Sequence, residues 1–121
     1  MATEQLAHKI ADLMLEKQAM DIDILDLRKL TAIADYFVIA SGSVDVHVRA
    51  IVDHIDRSLR VESPASRPLH IEGYKHLNWV LLDYGDIVVH IFQPEARAFY
   101  RLERLWGDAP TERIEDTAQS A

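Results

Sequence analysis

The stretch that most constrains this chain runs from Asn78 to Pro94, where two apolar arms flank Asp83-Tyr84-Gly85-Asp86. β-Branched and aromatic residues dominate both arms, and the only glycine of the stretch lies between them, so it reads as an antiparallel hairpin. With a two-residue loop at Tyr84-Gly85, Asp83 opposes Asp86, Leu82 opposes Ile87 and Trp79 opposes His90. One face is then Val80, Leu82, Ile87, Val89 and Ile91, which is wholly aliphatic and must be core. The other carries Trp79, Leu81, Asp83, Asp86, Val88, His90 and Phe92. That set is too apolar for solvated surface and too polar for a core, and it has the composition of an interaction patch with aromatic anchors.

A second register is open. Gly85 can close a type I turn with a bulge, pairing Leu82 with Asp86 and moving Trp79 to the face of Ile87 and Val89. The two-residue loop gives the cleaner burial pattern. In it, Asp83 and Asp86 are like charges across the ladder, read either as ordinary turn aspartates or as a site awaiting a partner's basic side chain or a metal.

The rest of the chain supplies cover for the hairpin. Thr3 is placed to cap a first helix running to about Met20, with Leu6, Ile10, Leu13 and Met14 on one face. Ile22 to Leu27 suits a strand with one wet end, and Tyr36 to Ala40, apolar on both faces, suits a central one. Val44, Val48, Ile51, Val52, Ile55 and Leu59 form the strongest helical stripe, with Arg49, Asp53, Asp56, Arg57 and Arg60 arranged as opposite-charge i,i+4 pairs outside it. Val61 to Pro68 is a loop, Leu69 to Glu72 a short strand at best, and Pro94 opens a helix carrying Ala98, Phe99, Leu102, Leu105 and Trp106 up to Gly107. The expected fold is α/β in the broad sense (α+β), a mixed sheet of about five strands with three helices. Residues 1–110 make one domain, and 111–121, with a single aliphatic side chain, are expected to be a disordered acidic tail.

Charge and composition narrow the function. A formal net charge of −7 argues against sequence-independent binding to nucleic acid, which depends on neutralising phosphates. An acidic protein is suited instead to docking on a basic one. The absence of cysteine rules out disulfides and thiolate metal sites, and with no long apolar run or signal-type N-terminus the expectation is a soluble cytoplasmic protein.

Catalytic readings are weak. His47 and His54 lie two turns apart with Ala50 and Ile51 between them, so no third metal ligand joins them. Gly42-Ser43 with Asp53 and Asp56 resembles faintly the glycine-serine and paired-acid pattern of nucleotidyltransferases, but these acids have basic helix neighbours and look structural. The enzyme alternative is a residual nucleotidyltransferase using Asp83 and Asp86 with magnesium, although neither a glycine-rich phosphate cradle nor a lysine motif accompanies them.

Four blocks resemble the ribosomal silencing factor (Iojap-like) family: Asp35 to Gly42, Asp45 to Ile51, Trp79 to Gln93, and Tyr100 to Trp106. The third is the most specific. This resemblance implies a fold related to nucleotidyltransferases without their chemistry, and no cofactor. It also implies binding to the large ribosomal subunit through ribosomal protein number fourteen, which obstructs joining of the small subunit and represses translation when nutrients are scarce. The partner-contacting surface implied for the family centres on Trp79, Tyr84 and Phe92, with Asp83, Asp86 and His90 as polar neighbours. A homodimer through the same apolar face is the third reading, and it would compete with ribosome binding.

Overall fold

A computed structural model describes residues 2–115. Helix α1 (Thr3–Glu16) leads into β1 (Met20–Asp26), β2 (Tyr36–Ser41), helix α2 (Asp45–Glu62), β3 (His70–Glu72), β4 (Trp79–Asp83) and β5 (Ile87–Phe92). Two short helices, α3 (Pro94–Tyr100) and α4 (Leu102–Leu105), and a last strand β6 (Thr111–Ile114) complete the fold. The sheet order is β3-β4-β5-β2-β1-β6, with β2 and β5 parallel and every other pair antiparallel. The mixed α+β architecture is the expected one, with β2 central and buried along its whole length.

Alternation along the central strands divides the interior into two cores. Tyr36, Val38 and Ala40 of β2 and Ile87, Val89 and Ile91 of β5 point to the side covered by α1 and α2, where Ile10, Met14, Val48, Ile51, Val52, Ile55 and Leu59 meet them. Phe37, Ile39, Val88 and Phe92 point the other way, into a smaller core closed by Leu25, Leu27, Leu102 and Ala109, with Trp79, Leu81, Ala96 and Trp106 at its margin. The helical stripe read from sequence is therefore buried as expected from Val48 onward, whereas Val44 sits before the helix and is half exposed.

Several expectations are corrected. Helix α1 begins at Thr3 without a side-chain cap and ends at Glu16, because Gln18 adopts a positive φ of 58° before β1. The expected helix from Pro94 to Trp106 is broken at Arg101, which adopts the left-handed conformation (φ 49°, ψ 56°) and separates α3 from α4. The sheet has a sixth strand. Thr111 to Ile114, assigned to a tail, pair with β1 and place Arg113 directly opposite Asp23, so cross-strand charge does what apolar content does elsewhere. Ile114 packs on the larger core. The expectation of disorder for 116–121 lies outside the described residues.

Neither expected hairpin register occurs. Trp79 opposes Phe92, Leu81 opposes His90 and Asp83 opposes Val88, and the Tyr84 N–H donates to the Ile87 carbonyl at 2.8 Å, so Gly85 and Asp86 form the turn. Gly85 has φ 90°, and its N–H donates to Asp83 Oδ1 at 2.8 Å, an aspartate-driven reversal that starts at Asp83. Each partner moves by two residues relative to the favoured register. Both faces are preserved because side chains alternate with period two.

Candidate docking surface

The hairpin's second face is mostly interior. His90 is 3% and Phe92 1% exposed, covered by the α3–α4 segment. Neither reaches a partner, and a charge at Phe92 would disrupt the smaller core rather than test a surface. Asp83 opposes Val88, so the like-charged pair does not form, and Asp83 is half-buried while Asp86 is exposed. Tyr84 turns to the opposite side of the sheet, against the larger core. Its hydroxyl is buried without a hydrogen-bond partner among the described residues, and burial raises its pKa.

Of the expected aromatic anchors, Trp79 stays partly at the surface, half-buried at the start of β4. Its indole stacks on Phe92 with centroids 4.9 Å apart, and its Nε1–H donates to His90 Nδ1 at 3.0 Å. That bond makes Nδ1 the acceptor and leaves the proton on Nε2, which has no partner among the described residues. Phe37 packs edge-on against the imidazole at 4.5 Å, and burial pulls the His90 pKa down to about 3. His90 is thus a neutral core histidine that orients the tryptophan.

The surface continues onto Tyr100, which the sequence reading left out of its site residues, and onto Phe99 and Leu105, which it treated as helix packing. Gln93 anchors the exit of β5, its N–H donating to the Asn78 carbonyl at 2.9 Å and its side chain to the Leu77 carbonyl at 3.1 Å. Pro94 then starts α3 back across the sheet. This brings Tyr100 onto Trp79, ring centroids 4.6 Å apart, with Phe99 edge-on to Tyr100 at 5.1 Å. Phe99 is 80% and Tyr100 50% exposed, and Leu105 of α4 is 71% exposed. A cleft of about 370 Å³ lined by Asn78, Gln93, Glu95, Ala96, Phe99 and Tyr100 borders the cluster. Asp83 lies at the far end of β4, about 13 Å along the strand at ~3.3 Å per residue, so carboxylates and aromatic anchors do not converge.

The other sequence candidates are structural. His47 Nδ1 accepts the Ser43 N–H at 2.8 Å and its Nε2–H donates to the Lys17 carbonyl at 2.8 Å, tying the start of α2 to the end of α1. His54 contacts Glu16 at 2.7 Å, the Tyr74 hydroxyl donates to Asp53 at 2.8 Å, and Asp56 pairs with Arg60 at 2.9 Å. Among the described residues no three His, Asp or Glu side chains are grouped to hold a metal ion, and no helix is long and apolar enough to cross a membrane.

Comparison with known proteins accounts for where the sequence motifs fall in this fold. The family model "Ribosomal silencing factor during starvation" matches residues 1–121. The chain belongs to the ribosomal silencing factor family. A ribosomal silencing factor from Halalkalibacterium halodurans is 36% identical over 115 residues, covering 95% of this chain and 97% of that protein. A mouse protein named mitochondrial assembly of ribosomal large subunit protein 1 is 33% identical over 98 residues, covering 80% of this chain and 43% of its own length. A crystal structure of a Chromobacterium violaceum protein superposes with a TM-score of 0.81 at 26% identity, covering 98% of this chain and 97% of that one. In this ribosomal silencing factor chain the block from Trp79 to Gln93 is the hairpin, and the block from Tyr100 to Trp106 belongs to the α3–α4 segment that covers it.

Proposed function

We propose that this chain docks on ribosomal protein number fourteen of the large ribosomal subunit through Trp79, Phe99 and Tyr100, and that its bulk then blocks joining of the small subunit and represses translation. The observation that carries this reading is the aromatic cluster, whose outermost ring, Phe99, is 80% exposed. A cluster of large aromatic rings at a surface, with Trp79 and Tyr100 supplying polar edges, has the usual composition of a binding hot spot. Membership of the silencing factor family supports the ribosome as partner, and the large-subunit wording in the mouse relative's name supports that subunit. The net charge of −7 favours encounter with a basic ribosomal protein while the rings supply affinity.

A steric block needs no cofactor and no catalysis, so the proposed role is regulatory, and similarity to bacterial ribosomal silencing factors supports a cytoplasmic place for it. The test is co-sedimentation with purified large subunits, combined with a subunit-joining assay. Trp79→Ala and Tyr100→Ala are each expected to weaken binding by roughly tenfold or more, and to restore joining in proportion. Folded variants that bind and block like the parent protein would refute the assignment.

A further inference from the structure

Helix α3 is seven residues long and has no fully buried residue, only Ala96 at the margin of the smaller core, so its own hydrogen bonds and its apolar packing hold it weakly. The strongest polar tie to the sheet is Arg97. The Arg97 side chain is only 11% exposed, and its guanidinium uses all three nitrogens: Nη1 donates to Ser41 Oγ at 3.0 Å, Nη2 to Asp23 Oδ2 at 3.0 Å, and Nε to Glu103 Oε1 at 2.7 Å. Asp23 and Ser41 are buried on the adjacent strands β1 and β2, whereas Glu103 belongs to α4. One planar group therefore joins α3 to the sheet and to α4 across the left-handed break at Arg101. Asp23 is also held by Arg113 of β6, whose Nε donates at 2.6 Å, so both C-terminal elements grip the same carboxylate.

We infer that Arg97, held by Asp23 and Ser41 and linked to Glu103, is the positioning residue of the docking surface. It sets the helix that lays Tyr100 on Trp79 and turns Phe99 outward. This rests on the docking reading above for its consequence, but the placement of Tyr100 is a claim of its own. A planar fork is required, because a lysine can neutralise Asp23 but cannot reach Ser41, Asp23 and Glu103 together.

The experiment reads two quantities: affinity for purified large subunits, and the near-ultraviolet circular dichroism of Trp79 in a Trp106→Phe background. In Arg97→Gln the Trp79 band is expected to fall to that of Tyr100→Ala, and affinity to fall roughly tenfold, with cooperative unfolding retained. Arg97→Lys is expected to recover most of the thermal midpoint but neither the band nor the affinity, which a merely stabilising role would restore together. Glu103→Gln leaves the Arg97–Asp23 pair in place and is expected to weaken the band and the affinity in the same direction; it decides the matter if Arg97→Gln does not fold. An unchanged band in the folded variants overturns the inference, as does joint recovery of stability, band and affinity in Arg97→Lys. If Tyr100→Ala binds like the parent, the docking reading fails, and the Trp79 band alone decides the role of Arg97.

Discussion

His90 ties the aromatic cluster to a pH dependence that can be worked out in advance. The imidazole is 3% exposed, its sheet neighbours are Ile39 and Leu81, and Phe37, Trp79 and Phe92 surround its ring, so no charged group relieves protonation. Burial lowers its pKa from 6.5 to about 3. Below pH 6.5 the unfolded chain takes up a proton that the folded state refuses, so stability is full above that pH and is lost as pH falls towards 3. Between pH 7 and pH 5 the loss is about 2 kcal/mol, from ~1.4 pH units of extra protonation at 1.36 kcal/mol each. In His90→Leu this term is absent. The imidazole's bond to Trp79 is lost as well, but that offset is the same at both pH values. Urea unfolding of both proteins at pH 7 and pH 5 should therefore show the parent losing about 2 kcal/mol more than the variant. His8, whose pKa is raised by its backbone bond to Glu4 and then by Glu112, works in the opposite sense but is common to both proteins. Equal losses in the two proteins would refute the buried, unprotonated state of His90.

Three further outcomes follow from local geometry. Gly73→Ala places a Cβ 1.9 Å from the Trp79 carbonyl at a φ of 81°, and is expected to destabilise by more than ~3 kcal/mol, visible as loss of a cooperative thermal transition near that of the parent. Tyr84→Phe removes a buried hydroxyl that has no partner among the described residues, so the unfolding free energy should stay level or rise by up to ~1 kcal/mol, and a clear loss would indicate a satisfied hydroxyl. Arg101→Gly relieves a left-handed non-glycine residue at the break between α3 and α4 and should stabilise by up to ~1 kcal/mol in denaturant unfolding.

Much of the fold was legible because periodicity reports burial directly. The stripe from Val48 to Leu59 and the two-sided apolar run of β2 each permit one placement. The hairpin register was not legible, since a shift of two residues leaves the same side chains on the same faces; the turn at Gly85-Asp86 is marked by the Gly85 N–H donating to Asp83 and by the positive φ of Gly85. The hairpin's second face was read as an interaction patch, but its composition does not distinguish a foreign partner from the chain's own α3–α4 segment, which packs on it. That is why His90 and Phe92 were expected at the surface and are core. Phe99 was not read as exposed because at helical spacing an aromatic reads as packing, and Tyr100 was noted only as part of a family block. Arg97 has no sequence signal at all: its partner Asp23 is 74 positions away, and only the folded sheet brings them together.

Placement of Phe99 on ribosomal protein number fourteen is tested most directly by site-specific crosslinking. A photo-reactive phenylalanine analogue at position 99, irradiated with purified large subunits, should crosslink to ribosomal protein number fourteen, and Trp79→Ala in the same chain should diminish the product. Crosslinks to ribosomal RNA or to another ribosomal protein, or a product that Trp79→Ala leaves undiminished, would contradict the proposed docking surface.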